Sequence, residues 1–208
     1  MLKSVLAASA AFTALVAATP AAAQMGMVPG VPTAPSGPRI ELQAGFEGDR
    51  ADLAGLTYEA DGSFFAVAVG YDIPVGPVAL GIDFEAGQSG IENAVAYEDF
   101  DGFVTGTLEN DSDLYLGGRV TLPVGPLFDI YAKAGYSQVG TIADLTIDDG
   151  VDLFNEFIED KEDGLRVGFG ARYYIIGGAY LGGEYRYSNY DESEITKHQA
   201  VATLGYHF

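Results

Sequence analysis

Apolar residues recur at every second position in eight stretches of the chain, with small, polar or charged residues between them. Over 78–86, Val78, Leu80, Ile82, Phe84 and Ala86 make one series, and Ala79, Gly81, Asp83 and Glu85 make the other. A period of two sends alternate side chains to opposite faces of a β-strand. The pattern predicts strand cores over 39–47, 64–73, 78–86, 114–122, 127–137, 164–175, 179–188 and 197–208. A tilted strand crosses a bilayer in about 9–11 residues, close to these lengths.

The connections alternate in length. Pro74-Val75-Gly76-Pro77, Pro123-Val124-Gly125-Pro126 and Ile176-Gly177-Gly178 predict short turns, and 48–63, 87–113, 138–163 and 189–196 predict long loops. Short turns at one end and long loops at the other are the habit of a membrane barrel, the short ones periplasmic. The two Pro-Val-Gly-Pro segments read as one repeated turn, since Pro and Gly both serve tight reversals.

The two faces identify the solvent. Forty positions carry the apolar parity: 40–46, 65–73, 78–86, 114–122, 128–136, 165–173, 179–187 and 198–208, each in steps of two. None is Asp, Glu, Lys, Arg, Ser, Thr, Asn or Gln, and His198 is the one strongly polar member. Aromatics gather towards both ends of this stripe: Tyr71, Phe128, Tyr173, Tyr206 and Phe208 by the turns, Phe46, Phe65, Phe84, Tyr136 and Tyr187 by the loops. Such rings suit the two water–lipid interfaces. The opposite face carries Glu41, Asp72, Asp83, Glu85, Asp129 and Glu184 against Arg39, Arg119, Lys133, Arg166, Arg172 and Arg186. Six acids meet six bases, and buried charge is tolerated where it is neutralised and hydrogen-bonded. Inward glycines such as Gly81, Gly117, Gly135, Gly168, Gly170, Gly182 and Gly205 leave room for long side chains. Eight strands enclose a bore just wide enough for side chains to fill. The expectation is an all-β, eight-stranded antiparallel transmembrane barrel over 39–208 with a plugged polar lumen.

Composition adds an address. Lys3, the apolar run from Val5 to Ala18 and Ala21-Ala22-Ala23 predict an export signal over 1–23, cleaved at Ala21-x-Ala23 before Gln24. Residues 24–38, rich in Pro and Gly, predict a flexible periplasmic leader. The chain has no cysteine, which excludes disulfides and thiolate metal sites. Its net charge of −20 repels nucleic acid. Once the balanced inward set and Lys3 are removed, 24 acidic and three basic residues remain, so the excess negative charge lies outside the inward set.

With its signal, its strand–loop rhythm and its ending Ala202-Thr203-Leu204-Gly205-Tyr206-His207-Phe208, the chain resembles the eight-stranded outer-membrane barrels of the OmpA membrane-domain, OmpX and opacity-protein type. It is similar above all to the single-domain "outer membrane protein β-barrel" or porin-family proteins of alphaproteobacteria. The resemblance implies that Leu204, Tyr206 and Phe208 are read by the barrel-assembly machinery. The glycine of that pattern is Thr203 here, with Gly205 displaced, and, unlike the full-length OmpA pattern, the expectation is a barrel without a carboxy-terminal peptidoglycan-binding domain. Members of the family adhere to surfaces, evade host defences or stabilise the envelope.

Candidate chemistry concentrates in two long acidic loops. Residues 87–113 hold Glu92, Glu98, Asp99, Asp101, Glu109, Asp111 and Asp113 without a base, and 138–163 hold nine acids against Lys161. Asp99/Asp101, Asp111/Asp113 or Asp148/Asp149/Asp152 offer oxygen ligands to a divalent cation, though none has the full spacing of a calcium loop. Residues 103–107 and 141–147 can prolong the fourth and fifth strands, leaving edges open to a partner strand. Leu153, Phe154, Phe157 and Ile158 have the spacing of a short amphipathic helical turn. Some small barrels modify lipid A, which takes a nucleophile, a base and an orienting acid. Of the two histidines, His198 has Ser188 and Glu194 nearby in sequence for those roles, and His207 faces inward at the periplasmic rim. The His-x-Ser of lipid A deacylase barrels is absent, Ala200 following His198-Gln199. A lipocalin-like soluble barrel would need the reverse arrangement of faces. The residues thus predict an outer-membrane barrel, taken as a monomer, with lipid as its solvent, a structural or surface-interaction role, no cofactor and no catalysis. A narrow solute or ion pore is the alternative.

Overall fold

The computed structural model describes residues 34–53, 56–90, 92–99, 102–148, 153–190 and 195–208. The predicted export signal with Ala21, Ala23 and Gln24, most of the leader, and Asp101, Asp149, Asp152 and Glu194 lie outside the described residues. The strands are β1 (Gly37–Leu53), β2 (Leu56–Val75), β3 (Val78–Ser89), β4 (Glu92–Asp99), β5 (Gly102–Gly125), β6 (Phe128–Asp148), β7 (Leu153–Ile176), β8 (Ala179–Tyr190) and β9 (Ile195–His207). All pairings are antiparallel between neighbours, β9 returns to β1, and β3 pairs with β5. The wall is therefore a closed eight-stranded barrel. β4 continues along β5 above β3, so β3 and β4 together fill one place in the wall.

Stepping from partner to partner, the register runs Arg39, Gly70, Asp83, Gly117, Gly135, Arg166, Ser188, Lys197 and back to β1 at Asp49. One circuit climbs 10 residues, from Arg39 to Asp49. With about 3.3 Å per residue and about 4.8 Å between strands, this stagger tilts the strands by about 41° and sets the backbone about 8 Å from the axis. An even climb also returns each residue to a partner of its own face, so inward and outward stay distinct around the ring.

The alternation governs burial throughout the wall. Every one of the forty apolar-parity positions is exposed or half-buried, Phe46 to 77%, Leu165 to 68% and Phe169 to 68%. Eight acidic and seven basic side chains are buried inside, and the one buried apolar cluster among the described residues is Phe64, Ala66 and Val201. Greasy outside and charged inside is the reverse of a lipocalin, and that reading is set aside.

The two Pro-Val-Gly-Pro segments do not fold alike. Gly76 and Pro77 make the turn between β2 and β3, with Gly76 at φ 64°, where a side chain would be strained. Between β5 and β6 the turn lies one residue further on, at Pro126 and Leu127, and the register shifts between Pro123 and Gly125. The second connection has one more residue before the next outward position, Phe128 in place of Val78. A bulge absorbs it and preserves the alternation.

The long connections are mostly strand. β1 and β2 remain paired up to Leu53 and Leu56, and β5, β6 and β7 pair up to Phe103, Asp148 and Leu153. The expected prolongation over 103–107 and 141–147 is present. The helical turn expected from Leu153, Phe154, Phe157 and Ile158 is not. They belong to β7, opposite Asp148, Ile147, Asp144 and Ala143, because pairing with an existing ribbon overrides a weak local periodicity.

Candidate functional site

The barrel interior is a stack of charged layers. At the turn end, Arg39 meets Asp72 at 2.5 Å, Glu41 at 3.4 Å and also Asp83. Arg119 shares two of these acids, Asp83 at 2.7 Å and Glu41 at 3.2 Å, and lies 4.1 Å over the Tyr131 ring. Tyr180 donates its hydroxyl proton to Glu41 at 2.8 Å. Arg172 grips Asp129 with two nitrogens at 2.9 and 3.1 Å. In the middle, Lys133 sits between Glu85 at 2.5 Å and Glu184 at 2.6 Å. Arg186 reaches the same two acids at 3.2 and 2.5 Å and donates to Gln43 at 2.7 Å.

Towards the loops, Arg166 donates to Asp113 at 2.7 Å and to Ser188 at 2.8 Å. Lys197 lies 3.5 Å from Glu47 and 3.6 Å from Asp49, and Gln199 donates to Glu47 at 2.8 Å. Glu47, Asp113 and Lys197 extend the charged set beyond the residues singled out in the sequence. Their parity already marked them as inward. Asp113 is thereby buried against Arg166 and is not an exposed cation ligand. Among the described residues no three carboxylate or histidine side chains converge as a metal site.

Aromatic rings fit this interior through missing side chains. Tyr131 stands opposite Gly170, Tyr180 opposite Gly205 and Tyr190 opposite Gly164. A Cβ on Gly170, Gly205 or Gly164 would meet the facing ring. The glycines let the rings lie flat against the wall, where Tyr131 and Tyr180 stack under Arg172 at 5.3 and 5.1 Å.

Elsewhere the predicted residues separate. Ser188 is buried inward while His198 is exposed on the outer face, so the wall stands between the supposed nucleophile and base. His198 instead takes part in a 2.6 Å hydrogen bond with the Tyr185 hydroxyl and packs 5.1 Å from the Tyr187 ring. Leu204 and Tyr206 lie exposed on the outer surface, and Phe208 meets Tyr206 edge-on at 4.9 Å. At the loop-side rim, hydrogen bonds from the Tyr136 hydroxyl and the Gln138 amide hold the Asp163 carboxyl below its ordinary pKa.

Above the rim the wall divides. β2 leaves β3 after Phe64 pairs with Ser89, sealed by Gly90 N–H donating to Ser63 O at 2.7 Å. β7 leaves β8 beyond Gly164 and Tyr190. Between these partings, β4, β5, β6 and β7 continue as a four-stranded antiparallel blade. A register shift at Asn110/Ser112, leaving Asp111 unpaired with β6, marks its root.

Comparison with known proteins gives one family and, among solved structures, similar barrels. The family model described as "Outer membrane protein beta-barrel domain" matches residues 5–208. No curated protein matches the chain. Among solved structures, Ail, the attachment invasion locus protein of Yersinia pestis in complex with the heparin analogue sucrose octasulfate, is similar at 12% identity. That match covers 83% of this chain and 99% of Ail with a TM-score of 0.53. Neisserial surface protein A is similar at 16% identity over 83% of this chain and 98% of its own, with a TM-score of 0.52.

Proposed function

The chain belongs to the outer membrane protein β-barrel domain family and resides in the outer membrane, and from that premise we propose a structural and surface-interaction role, adhesion-like, without catalysis or cofactor. The observation that carries this reading is the length of β5, β6 and β7, at 24, 21 and 24 residues. A spanning strand uses about 9–11, so roughly half of each continues past the bilayer as a paired ribbon. A plain membrane anchor has no use for such a projection. Residues 1–23 are read as the removed signal, 24–38 as the leader, and Leu204, Tyr206 and Phe208 as the assembly signal of a monomer.

The sign of the projection narrows the ligand. Residues 92–112 and 139–163 contain fifteen acids and one base, Lys161. A polyanion such as the one in the Ail complex would be repelled by that field, and a cationic surface attracted. The experiment is adhesion of intact cells to cationic and sulfated matrices, with the full chain and with a variant in which 92–109 and 142–160 are replaced by short turns. Binding to the cationic matrix that disappears with the projection supports the reading, and equal binding by both refutes it.

A narrow pore is the competing reading, favoured by the charge-lined bore. Ion pairs that fill each layer argue for a plug, with Arg39, Arg119, Arg166 and Arg186 each no more than 2% exposed. Planar-bilayer recordings separate the two, since a plugged lumen gives no steady conductance, and an ohmic step for the unmodified protein would replace this proposal with the pore.

A further inference from the structure

The parting of the wall at Gly90 leaves an unpaired strand edge. Within the described residues β4 is the last strand of its sheet, and it pairs with β5 alone, from Glu92 opposite Glu109 to Asp99 opposite Gly102. Its other edge, on the side of β2, has no strand partner. Alternate residues of an eight-residue edge turn their N–H and C=O outward, about four residues' worth of unspent main-chain hydrogen bonds.

Among the described residues the blade has a second edge without a strand partner, on β7 beyond Gly164, and the two edges differ in sequence. Along 153–163, β7 carries Glu156, Glu159, Asp160, Lys161, Glu162 and Asp163. Dense charge and a lysine are what natural edges use to refuse a new strand. Along β4, Asn93-Ala94-Val95-Ala96-Tyr97 has no charge, no lysine and no proline, and Glu92 lies before it and Glu98-Asp99 after it. An uncharged centre between acidic ends fits an extended segment of the complementary kind.

We propose that the free edge of β4 is a strand acceptor for an extended segment of a partner protein, uncharged and β-forming at its centre and lysine- or arginine-bearing at its ends. The proposal rests on the surface-interaction reading above and assigns the site and partner chemistry within it. Main-chain hydrogen bonds to β4 supply affinity whatever the side chains, as in other strand additions. The acids at the ends of β4 and in the rest of the blade select the cationic partner and speed its encounter, more strongly at low salt.

The test uses the full chain folded in detergent micelles, its folding checked by heat-modifiable migration. The probe is a fluorescent peptide of four Thr-Val repeats with two lysines at each end, followed by anisotropy. Saturable binding is expected, weakened at least tenfold by N-methylation of alternate peptide residues, which removes main-chain donors and keeps the charge. Replacing the lysines by glutamates should abolish it. Lysines placed on the edge (A94K/A96K) should weaken binding at least tenfold, while Asn155→Lys on β7 leaves it unchanged. Absence of saturable binding overturns the proposal. So does equal affinity of the N-methylated peptide, which would mean attraction by charge alone, or equal loss from the β7 variant. Adhesion of cells that still vanishes with the projection would, in any of those cases, leave the broader reading standing.

Discussion

The wall and the blade are built from the same strands under different solvents. Along β5, Leu114 to Leu122 are apolar or glycine at every second position and lie exposed, while Tyr115, Arg119 and Thr121 between them and Asp113 just before them are buried. Beyond the Asp111 bulge the same strand reads Gly-Phe-Val-Thr-Gly-Thr-Leu-Glu-Asn, with Phe103 and Val104 side by side. Hydrocarbon on one side and a closed lumen on the other enforce alternation, because an error on either face strands a charge or an apolar group. Water on both faces enforces nothing of the kind. Charge shows the same contrast, with eight acids against seven bases buried in the wall and fifteen against one over the blade's sequence.

The sharpest way to break the comparison is to orphan a charge in the wall. Arg119 neutralises both Asp83 and Glu41, and Arg119→Met leaves acids that cannot reach water. Breaking a buried pair from one side costs about 3–5 kcal/mol. Urea unfolding in lipid vesicles should show that loss, whereas Lys161→Met, on an exposed side chain of the blade, should change stability by less than about 1 kcal/mol. Equal effects would mean that the lumen is wet and its pairs screened.

The outer face gives the next contrast. Leu116→Arg puts a charge into hydrocarbon and is expected to cost about 2–4 kcal/mol, against about 0–1 for Val104→Arg beyond the interface. The same unfolding assay reads both. A smaller loss, about 1–3 kcal/mol, is expected for Gly205→Val, whose Cβ would occupy the place of the Tyr180 ring. The companion change Tyr180→Ala should recover part of it if that ring is the obstacle, and no recovery would point to the backbone instead.

Alternation makes the wall legible from the sequence alone, because lipid leaves the outward residues no freedom. It placed Arg39, Arg119 and Glu184 on the inner face and Phe46 and Leu165 on the outer. Which inner charges meet was beyond it. Arg119 pairs with Glu41 across two intervening strands only because the circuit climbs 10 residues, a quantity set by pairing and not by any one strand. Asp113, Glu47 and Lys197 have the right parity, yet Asp113 lies just beyond a strand core, in a predicted loop, and Glu47 and Lys197 are the end residues of their cores. The blade was least legible: outside 103–107 and 141–147, Gly140 and the scattered acids read as loop when no solvent boundary imposes a period. The two Pro-Val-Gly-Pro segments misled for a different reason. A turn is fixed by how many residues must fit between facing positions as well as by its own composition.

The weakest effect should come from the rim, where wall meets blade. Asp163 is exposed, and the Tyr136 hydroxyl and Gln138 amide favour its charged form. A carboxyl with a lowered folded-state pKa adds stability at pH above its unfolded value, about 3.9 for aspartate, and that contribution fades as pH falls through the folded midpoint. A carboxylate NMR titration should therefore find Asp163 titrating below the ordinary aspartate value. Gln138→Ala should move the midpoint up towards that value, because it removes the 2.8 Å hydrogen bond from the amide. Added salt should leave the midpoint nearly fixed, since hydrogen bonds at contact, unlike a diffuse field, are not screened over a Debye length of about 8–10 Å. A midpoint that climbs steadily with falling salt would instead assign Asp163 to the negative field of the blade, and move the boundary between the two regimes one strand pair closer to the membrane.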